Sequence, residues 1–202
     1  MTRASCHRWL LLGVAAATAL LLAAGPCAAQ SSSGSSTRRY STPAQYICTD
    51  PDHTTLCRIL KGAGPDSKGA AALNDATVSN TVFAPLDSAF SQDSKTVARK
   101  LGLSAFEKIY TSPKQADRLL QNLIIPGQAI SSNGFKTGSD FKSMLGQHLY
   151  FKGAWFTKDL YVQSEEVKAK IIQVDIPAGR SVVNTTDRVP VPSAPFLGIG
   201  HH

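Results

Sequence analysis

The segment Thr81–Phe90 reads TVFAPLDSAF. Its first four residues are apolar or β-branched, and Pro85 ends the run because proline has no N–H to give to a sheet ladder. Asp87 follows at a position where its carboxylate can cap a helix over 88–91 that buries Phe90. The segment therefore predicts a short buried strand followed directly by a short helix.

Helical patterns lie on both sides of this segment. On the N-terminal side, Thr54–Gly62 has an apolar face and ends at a glycine. On the C-terminal side, Asp93 predicts the start of a helix over 94–101, and Ser112 with Gln115 has the spacing of a capping box. The helix that this box opens has one apolar face, formed by Ala116, Leu119, Leu120, Leu123 and Ile124.

Beyond residue 127 the sequence becomes rich in β-branched and aromatic residues, which is typical of strands. Strands are predicted over 148–151, 160–162, 167–174 and 181–191. In the third of these, the apolar positions change parity at Ile171 and Ile172, which predicts a bulge or a move from one sheet to another. Helices first and strands second indicate the α+β class.

The N-terminus has the layout of a secretory signal peptide. A short basic region precedes an uncharged apolar run, and small residues lead to a cleavage position near Ala29. An uncleaved anchor is the alternative. The chain is therefore divided into a signal peptide (1–29), a Ser-rich flexible linker (30–45), one folded domain (46–192) and a flexible tail (193–202). This division predicts a secreted, extracellular protein.

Composition and charge exclude several classes of protein. Apolar residues make up 43% of the chain, which is enough for one core, and charged residues only 17%. After the leader, no stretch is apolar enough over about 18 residues to span a bilayer, so membrane contact is expected only through a partner. The net charge is +7, but the charges form no stripe of the kind that nucleic acid requires. The positive charge fits ordinary solubility, although it also favours anionic polysaccharide or membrane surfaces.

Two of the four cysteines, Cys6 and Cys27, lie in the leader. Cys48 and Cys57 remain, and in an oxidising compartment they are expected to form a disulfide. A catalytic cysteine or a metal site is the alternative. Although His53 lies close, no second ligand pair has zinc spacing, so neither a metal nor a cofactor is predicted.

Several segments together resemble those of one protein family. Thr81–Phe90 is similar to the first signature segment of the fasciclin domain, and Ile124–Gly127 resembles the turn after its long helix. Leu145–Gln147 resembles its Leu-Gly turn, and 172–178 with 182–189 resemble its second signature segment. The order and spacing agree over nearly all of the expected folded part.

The resemblance implies a β-sandwich or wedge with several short helices packed at its side. It also implies a non-enzymatic role in cell adhesion or in organising matrix or cell wall, with a cell-surface or matrix protein, a polysaccharide, or both as partners. Two positions depart from the family: Asn122-Leu123 replaces a frequent Tyr-His pair, and Asn184 replaces a usual His. Asp175-Ile176 matches the Asp-Ile pair that is linked to integrin binding in some animal members.

Four residues are candidate adhesion contacts. Asp175 and Ile176 are candidates by the resemblance, although Ile176 continues an apolar alternation from Ile172 that favours a place in the core. Trp155 and Phe156 are candidates because exposed aromatic residues in loops suit contact with carbohydrate or protein.

Two questions remain open at the level of sequence. Asn184 begins the sequon Asn-Thr-Thr and is a candidate N-glycosylation site, unless it lies in a strand near the core. The main alternative function is an extracytoplasmic carrier or sensor of a small apolar ligand, which needs a buried pocket of about 300 Å³ or more. Because no nucleophile elbow, helical His pair or phosphate loop is present, enzymatic activity is not predicted. The oligomeric state is left open.

Overall fold

The computed structural model describes residues 39–153 and 159–194. Helices occupy the first half of this part, as the sequence predicts. The α-helices are α1 (Pro43–Thr49), α2 (Thr54–Gly62), α3 (Lys68–Asn74), α4 (Asp87–Leu101) and α5 (Pro113–Asn122). Short 3-10 helices cover Pro51–His53, Phe106–Thr111 and Ser132–Gly134.

The strands of the described residues form a seven-stranded sheet in the order β2-β1-β7-β6-β5-β4-β3. They are β1 (Thr81–Pro85), β2 (Ile124–Ile125), β3 (Asp140–Lys142), β4 (His148–Gly153), β5 (Leu160–Gln163), β6 (Lys168–Ala178) and β7 (Ser181–Thr186). β1 is parallel to β7, and the other neighbouring strands pair antiparallel. The strand predicted from Thr81 is confirmed, and it lies second from the edge of the sheet.

The long strand β6 connects the two ends of the sheet. Its first residues, from Lys168 to Lys170, pair with β5, whereas its later residues pair with β7. The pairing with β7 shifts register between Ile171 and Gln173, and again between Gln173 and Ile176. The parity change in the sequence therefore marks both a bulge and the point at which β6 changes partner.

Aromatic rings from distant strands meet in the core. Phe83 of β1 and Phe151 of β4 are fully buried, and their ring centroids lie 5.8 Å apart. Phe135, from the loop before β3, stacks on Phe151 at 4.3 Å. Three strands separate β1 from β4 in the sheet order, so the sheet must curve to bring these rings together. Burial of each such ring stabilises the fold by about 1.5–3 kcal/mol.

The helices pack on the β1–β7 end of the sheet. α1 lies against β6 and β7, and α5 lies against β2. The face of α5 predicted to be apolar is buried, including Ala116, Leu119 and Leu120. The capping box predicted at Ser112 is absent, because the backbone carbonyl of Ser112, rather than its hydroxyl, accepts the N–H groups of Gln115 and Ala116.

One helix replaces the two predicted after β1. α4 runs without a break from Asp87 to Leu101 and ends at Gly102, which has the left-handed conformation (φ 69°). Neither predicted cap acts on α4 itself. The carboxylate of Asp87 instead accepts hydrogen bonds from the start of α2, and that of Asp93 is held by Arg188. Partners distant in sequence therefore take over both carboxylates.

The folded part begins earlier than predicted. Tyr40 forms a bridge with Ala178, and α1 begins at Pro43 with the side chain of Thr42 accepting from the N–H of Gln45. The last residues of the segment predicted as linker (30–45) therefore belong to the domain. The Gly- and Ala-rich stretch after α2, which gave no clear prediction, contains α3.

Candidate interaction surface

A disulfide joins the first two α-helices. Cys48 at the end of α1 is bonded to Cys57 in α2, with their Cα atoms 4.9 Å apart. This is the bridge that the cysteine count predicts. α1 itself packs on β6 and β7, and its Tyr46 lies beside the later residues of β6.

The predicted contact pair Asp175-Ile176 lies in the irregular part of β6. Ile176 is opposite Val183 of β7 and only 8% exposed. Its side chain is therefore part of the core, and its prediction as an adhesion contact is corrected. The physical reason is the register shift just before it, which turns Ile176 toward the interior.

Asp175 is exposed but already bound within the domain. Its backbone has a left-handed conformation (φ 59°), which Asp tolerates better than most residues. Its carboxylate accepts hydrogen bonds from the N–H (2.7 Å) and the hydroxyl (2.5 Å) of Ser132. Its own N–H donates to Oδ1 of Asn184 at 3.1 Å. Asp175 therefore ties the 3-10 helix at Ser132 and strand β7 to the bulge.

Two large apolar side chains are exposed beside Asp175. Ile172 is 53% exposed and Val174 is 40% exposed. The sequence-based alternation places them in the core with Ile176, but the two register shifts turn them outward. We call Ile172, Val174 and Asp175 the β6 bulge surface. The parity change at Ile171 and Ile172 indicated the irregularity in the sequence, but it did not show which side chains would face solvent.

A hollow of about 320 Å³ adjoins this surface, between β6 and the start of the domain. Tyr40, Tyr46 and Asp50 form its other wall, and the two tyrosine rings meet edge to face at 5.0 Å. Burial, followed by the negative charge of Asp50, raises the pKa of Tyr46 above its ordinary value. Tyr46 thus stays neutral, and Asp50 is the charged group on this wall.

The candidate glycosylation site is inside the domain. Asn184 lies in β7 with no exposed surface, and its Oδ1 accepts the N–H of Asp175. A glycan attached to Nδ2 has no space in this fold. The alternative given by the sequence, a strand residue near the core, describes Asn184 in the structure. Trp155 and Phe156, the other two candidate contacts, lie outside the described residues.

Each of the two histidines of the described part lies close to a polar group of the domain. His53 is buried with Nε2 3.3 Å from the carbonyl oxygen of Ala84, and His148 is exposed with Nδ1 2.7 Å from a carboxylate oxygen of Asp140. In residues 39–153 and 159–194, no group of three or more His, Cys, Asp or Glu side chains could hold a metal ion. Over the same ranges, no helix has the length and hydropathy that a membrane crossing needs.

One apolar hollow bears on the carrier alternative. It measures about 640 Å³, and Ala71, Ala72, Val78, Pro126 and Met144 contribute to its lining. It is open to solvent beside α3 and is not enclosed between the sheet and the helices. It therefore lacks the enclosure that a carrier of small apolar ligands needs to bury most of its cargo.

Comparison with known proteins shows which known domains this chain resembles. The fasciclin domain family matches residues 51–192. Among solved structures, the chain is similar to a FAS1 domain pair from the insect cell adhesion molecule fasciclin I, with a TM-score of 0.60 and 12% sequence identity. The match covers 75% of this chain and 51% of that one, so the chain spans about half the length of the domain pair. The likeness shows a fasciclin-like fold. No curated protein sequence matches.

Proposed function

The chain belongs to the fasciclin domain family, and from this premise we propose that it is a secreted, non-enzymatic module of cell adhesion or of matrix or cell-wall interaction. The observation that carries the proposal is the β6 bulge surface, where Ile172 and Val174 are exposed next to the carboxylate of Asp175. Fasciclin domains are adhesion-type modules, and this surface gives the present chain a specific place for a protein partner.

The β6 bulge surface has the physical properties of a small protein-binding site. Exposed apolar side chains that lie together on a fixed backbone gain free energy when a partner removes them from water, by about 25 cal/mol per Å². Here the backbone is fixed by the hydrogen bonds of Asp175 to Ser132 and Asn184. Because little ordering is needed on binding, more of this free energy is available for affinity.

The proposed partner is a cell-surface or matrix protein. Ile172 and Val174 are exposed apolar residues, and the carboxylate of Asp175 lies next to them in sequence, so the surface offers both apolar and polar contacts, as protein interfaces do. Polysaccharide, which is rich in hydroxyl groups, fits this apolar centre less well. Contact with a membrane is then indirect, through the partner.

A cell-attachment assay tests the proposal. The full chain, purified from the medium of secreting cells, is immobilised, and attached cells are counted for the unchanged protein and for Ile172→Ser with Val174→Ser. We expect the double variant to lose most attachment, because it removes the apolar centre without altering charge. Ala105→Ser with Ala129→Ser is the control, since both alanines are exposed apolar residues outside β6, and it should keep full attachment.

Two results would contradict the proposal. One is equal attachment by the double variant and the unchanged chain at an unaltered melting temperature. The other is equal loss in this double variant and in Ala105→Ser with Ala129→Ser. A third variant, Asp175→Asn, keeps the left-handed backbone but removes the charge, and it should reduce attachment if the partner is basic at this point.

Secretion is tested separately, by N-terminal sequencing of the protein recovered from the medium. We expect the first residue to be Gln30, because cleavage is proposed after Ala29. A protein that keeps its first residues and sediments with membranes would instead indicate an uncleaved anchor. This outcome would change the location but would leave the role of the β6 bulge surface to the attachment assay.

A further inference from the structure

The outward side of the β3–β6 part of the sheet carries a group of lysines and tyrosines. In β4, Leu149 and Phe151 are buried, whereas His148, Tyr150 and Lys152 alternate with them and are exposed. The same side of the neighbouring strands carries further long polar side chains. We call this side the lysine face, and its basic and aromatic members are Lys142, Tyr150, Lys152, Tyr161, Lys168 and Lys170.

The strand register arranges these side chains in rows across the sheet. Lys152 of β4 is opposite Tyr161 of β5, which is opposite Lys170 of β6. In the next row, Tyr150 is opposite Gln163, which is opposite Lys168. Neighbouring strands are about 4.8 Å apart and successive rows are about 6.8 Å apart. The cations are therefore spread across neighbouring strands, and in the first row a tyrosine ring lies between two of them.

Most of the positive charge on this face is not neutralised. Lys142, Lys152 and Lys168 form no ion pair with any residue in the described ranges. Lys170 is 3.0 Å from a carboxylate oxygen of Asp159, and this hydrogen bond raises the pKa of Lys170. Three of the four lysines therefore have no carboxylate partner within the described ranges.

Carboxylates lie at both ends of the face. Asp140 is paired with His148 at one end, and Asp159 is paired with Lys170 at the other. Lys152 and Lys168, which border one hollow, form no ion pair within the described ranges. A negatively charged ligand would be drawn toward these two lysines.

A tyrosine gives this hollow a second kind of contact. Tyr150, Lys152, Gln163 and Lys168 help to line the hollow, which measures about 470 Å³, and Tyr150 is 44% exposed. The ammonium group of Lys168 is 4.0 Å from the centroid of the neighbouring Tyr161 ring, which holds this lysine over the face. The hollow thus combines two cations, an amide and a tyrosine.

From this arrangement we propose that the lysine face binds a linear acidic polysaccharide. Pyranose rings have apolar faces that pack on tyrosine rings, and their hydroxyl groups suit Gln163 and the tyrosine hydroxyl. Charged groups repeated along such a chain match lysines that are spread across neighbouring strands. Nucleic acid fits less well, because the face offers no arginine for planar, bidentate phosphate contacts. This site uses other side chains than the β6 bulge surface, although both include residues of β6, and it does not depend on a protein partner.

Affinity measurements with defined oligosaccharides test the proposal. The probes are polygalacturonate and heparin oligosaccharides as acidic chains, cello-oligosaccharides as neutral chains, and vesicles that contain phosphatidylserine. The purified full chain is compared with Lys152→Gln/Lys168→Gln. The matched control is Lys61→Gln/Lys114→Gln, which removes the same charge from exposed positions in α2 and α5.

We expect the unchanged chain to bind at least one acidic oligosaccharide. The affinity should be about tenfold weaker in Lys152→Gln/Lys168→Gln, because two exposed ion pairs together contribute up to about a factor of ten to an affinity. It should be nearly unchanged in the control. Tyr150→Ser should weaken binding further, even at high salt, where charge is screened. Equal loss in both double variants, no acidic oligosaccharide bound, or binding to vesicles alone would each overturn the proposal. Because attachment through the β6 bulge surface uses Ile172 and Val174, the two proposals can fail separately.

Discussion

The two ends of the sheet differ in how many of their faces are buried. All five residues of β1 are buried, and so are five of the six in β7. In β4, by contrast, only Leu149 and Phe151 are buried, and the residues between them face solvent. At the end covered on both faces, nearly all strand side chains belong to the core. The end covered on one face also carries exposed side chains, which can contact a ligand. β6 belongs to both ends, and its bulge is where one pattern changes into the other.

The strongest test of this comparison uses two neighbouring residues of β4. Phe151→Ala should lower the free energy of unfolding by about 3–5 kcal/mol, because it leaves a cavity beside the rings of Phe83 and Phe135. Tyr150→Ala should lower it by only about 1 kcal/mol, since Tyr150 is 44% exposed. Urea denaturation of both variants measures the difference. Similar losses of unfolding free energy in the two variants would mean that β4 is not exposed to solvent on one face.

This contrast also shows what the sequence could predict. Strict alternation or a continuous apolar run is a local property, so β1, α2 and the apolar face of α5 were predicted correctly. The parity change in β6 was visible for the same reason. The exposure of Ile172 and Val174 could not be predicted, because it depends on a second register shift that only the pairing with β7 defines.

The remaining errors come from contacts between residues far apart in sequence. Asp93 has the appearance of a helix cap, but Arg188, which follows β7, binds its carboxylate. α3 was not predicted because its Gly- and Ala-rich sequence has little amphipathic pattern, and the side chain of Asp117 in α5 holds its start by accepting from Gly69. Information of this kind is not present in any short stretch of the sequence.

The ion pair of Asp93 tests whether a polar contact can be essential at the buried end. Asp93 is 1% exposed, and Nε of Arg188 lies 2.9 and 3.0 Å from its two carboxylate oxygens. Arg188→Ala should destabilise the domain by about 3 kcal/mol, because the buried carboxylate then keeps only the N–H of Val189 as a donor. Arg99→Ala is the control: it breaks an exposed pair with Glu166 and should cost less than about 1 kcal/mol. Equal losses of unfolding free energy in the two variants would show that the burial of Asp93 does not strengthen its contribution to stability.

The disulfide tests how far the helical layer depends on a covalent link. The bridge between Cys48 and Cys57 closes a short loop, since the two residues are nine positions apart. Replacing both by Ser should lower the free energy of unfolding by about 2–3 kcal/mol, mainly through the unfolded chain. A reductant should lower the stability of the unchanged chain to that of the double variant and leave the variant itself unaffected. A stable chain in reductant would contradict this expectation.

Asp87 provides a smaller, pH-dependent effect at the same layer. Burial raises the pKa of Asp87, but hydrogen bonds from Thr54 and Thr55 outweigh it, so the pKa lies below its ordinary value. Its stabilising effect is therefore complete above about pH 4 and disappears as the pH falls through the lowered pKa. At pH 7, Asp87→Asn should cost about 1 kcal/mol, the usual value of a helix cap. The two proteins should become equally stable in strong acid, and a difference that persists there would rule out the charge as its cause.

The smallest expected effect is no change at all, and it concerns the buried end directly. Protein secreted by eukaryotic cells should show the same mass before and after enzymatic removal of N-linked glycans, because Asn184 is fully buried in β7. A glycan transferred to this residue before folding would have to prevent β7 from pairing with β1, so modified chains would not reach the medium folded. Asp52→Asn is the positive control, since Asp52 is exposed and Thr54 completes the sequon there. If the control chain carries a glycan and the unchanged chain does not, burial rather than the host explains the result. A glycan on Asn184 in folded protein would show that β7 is not buried on both faces, as the comparison between the two ends of the sheet requires.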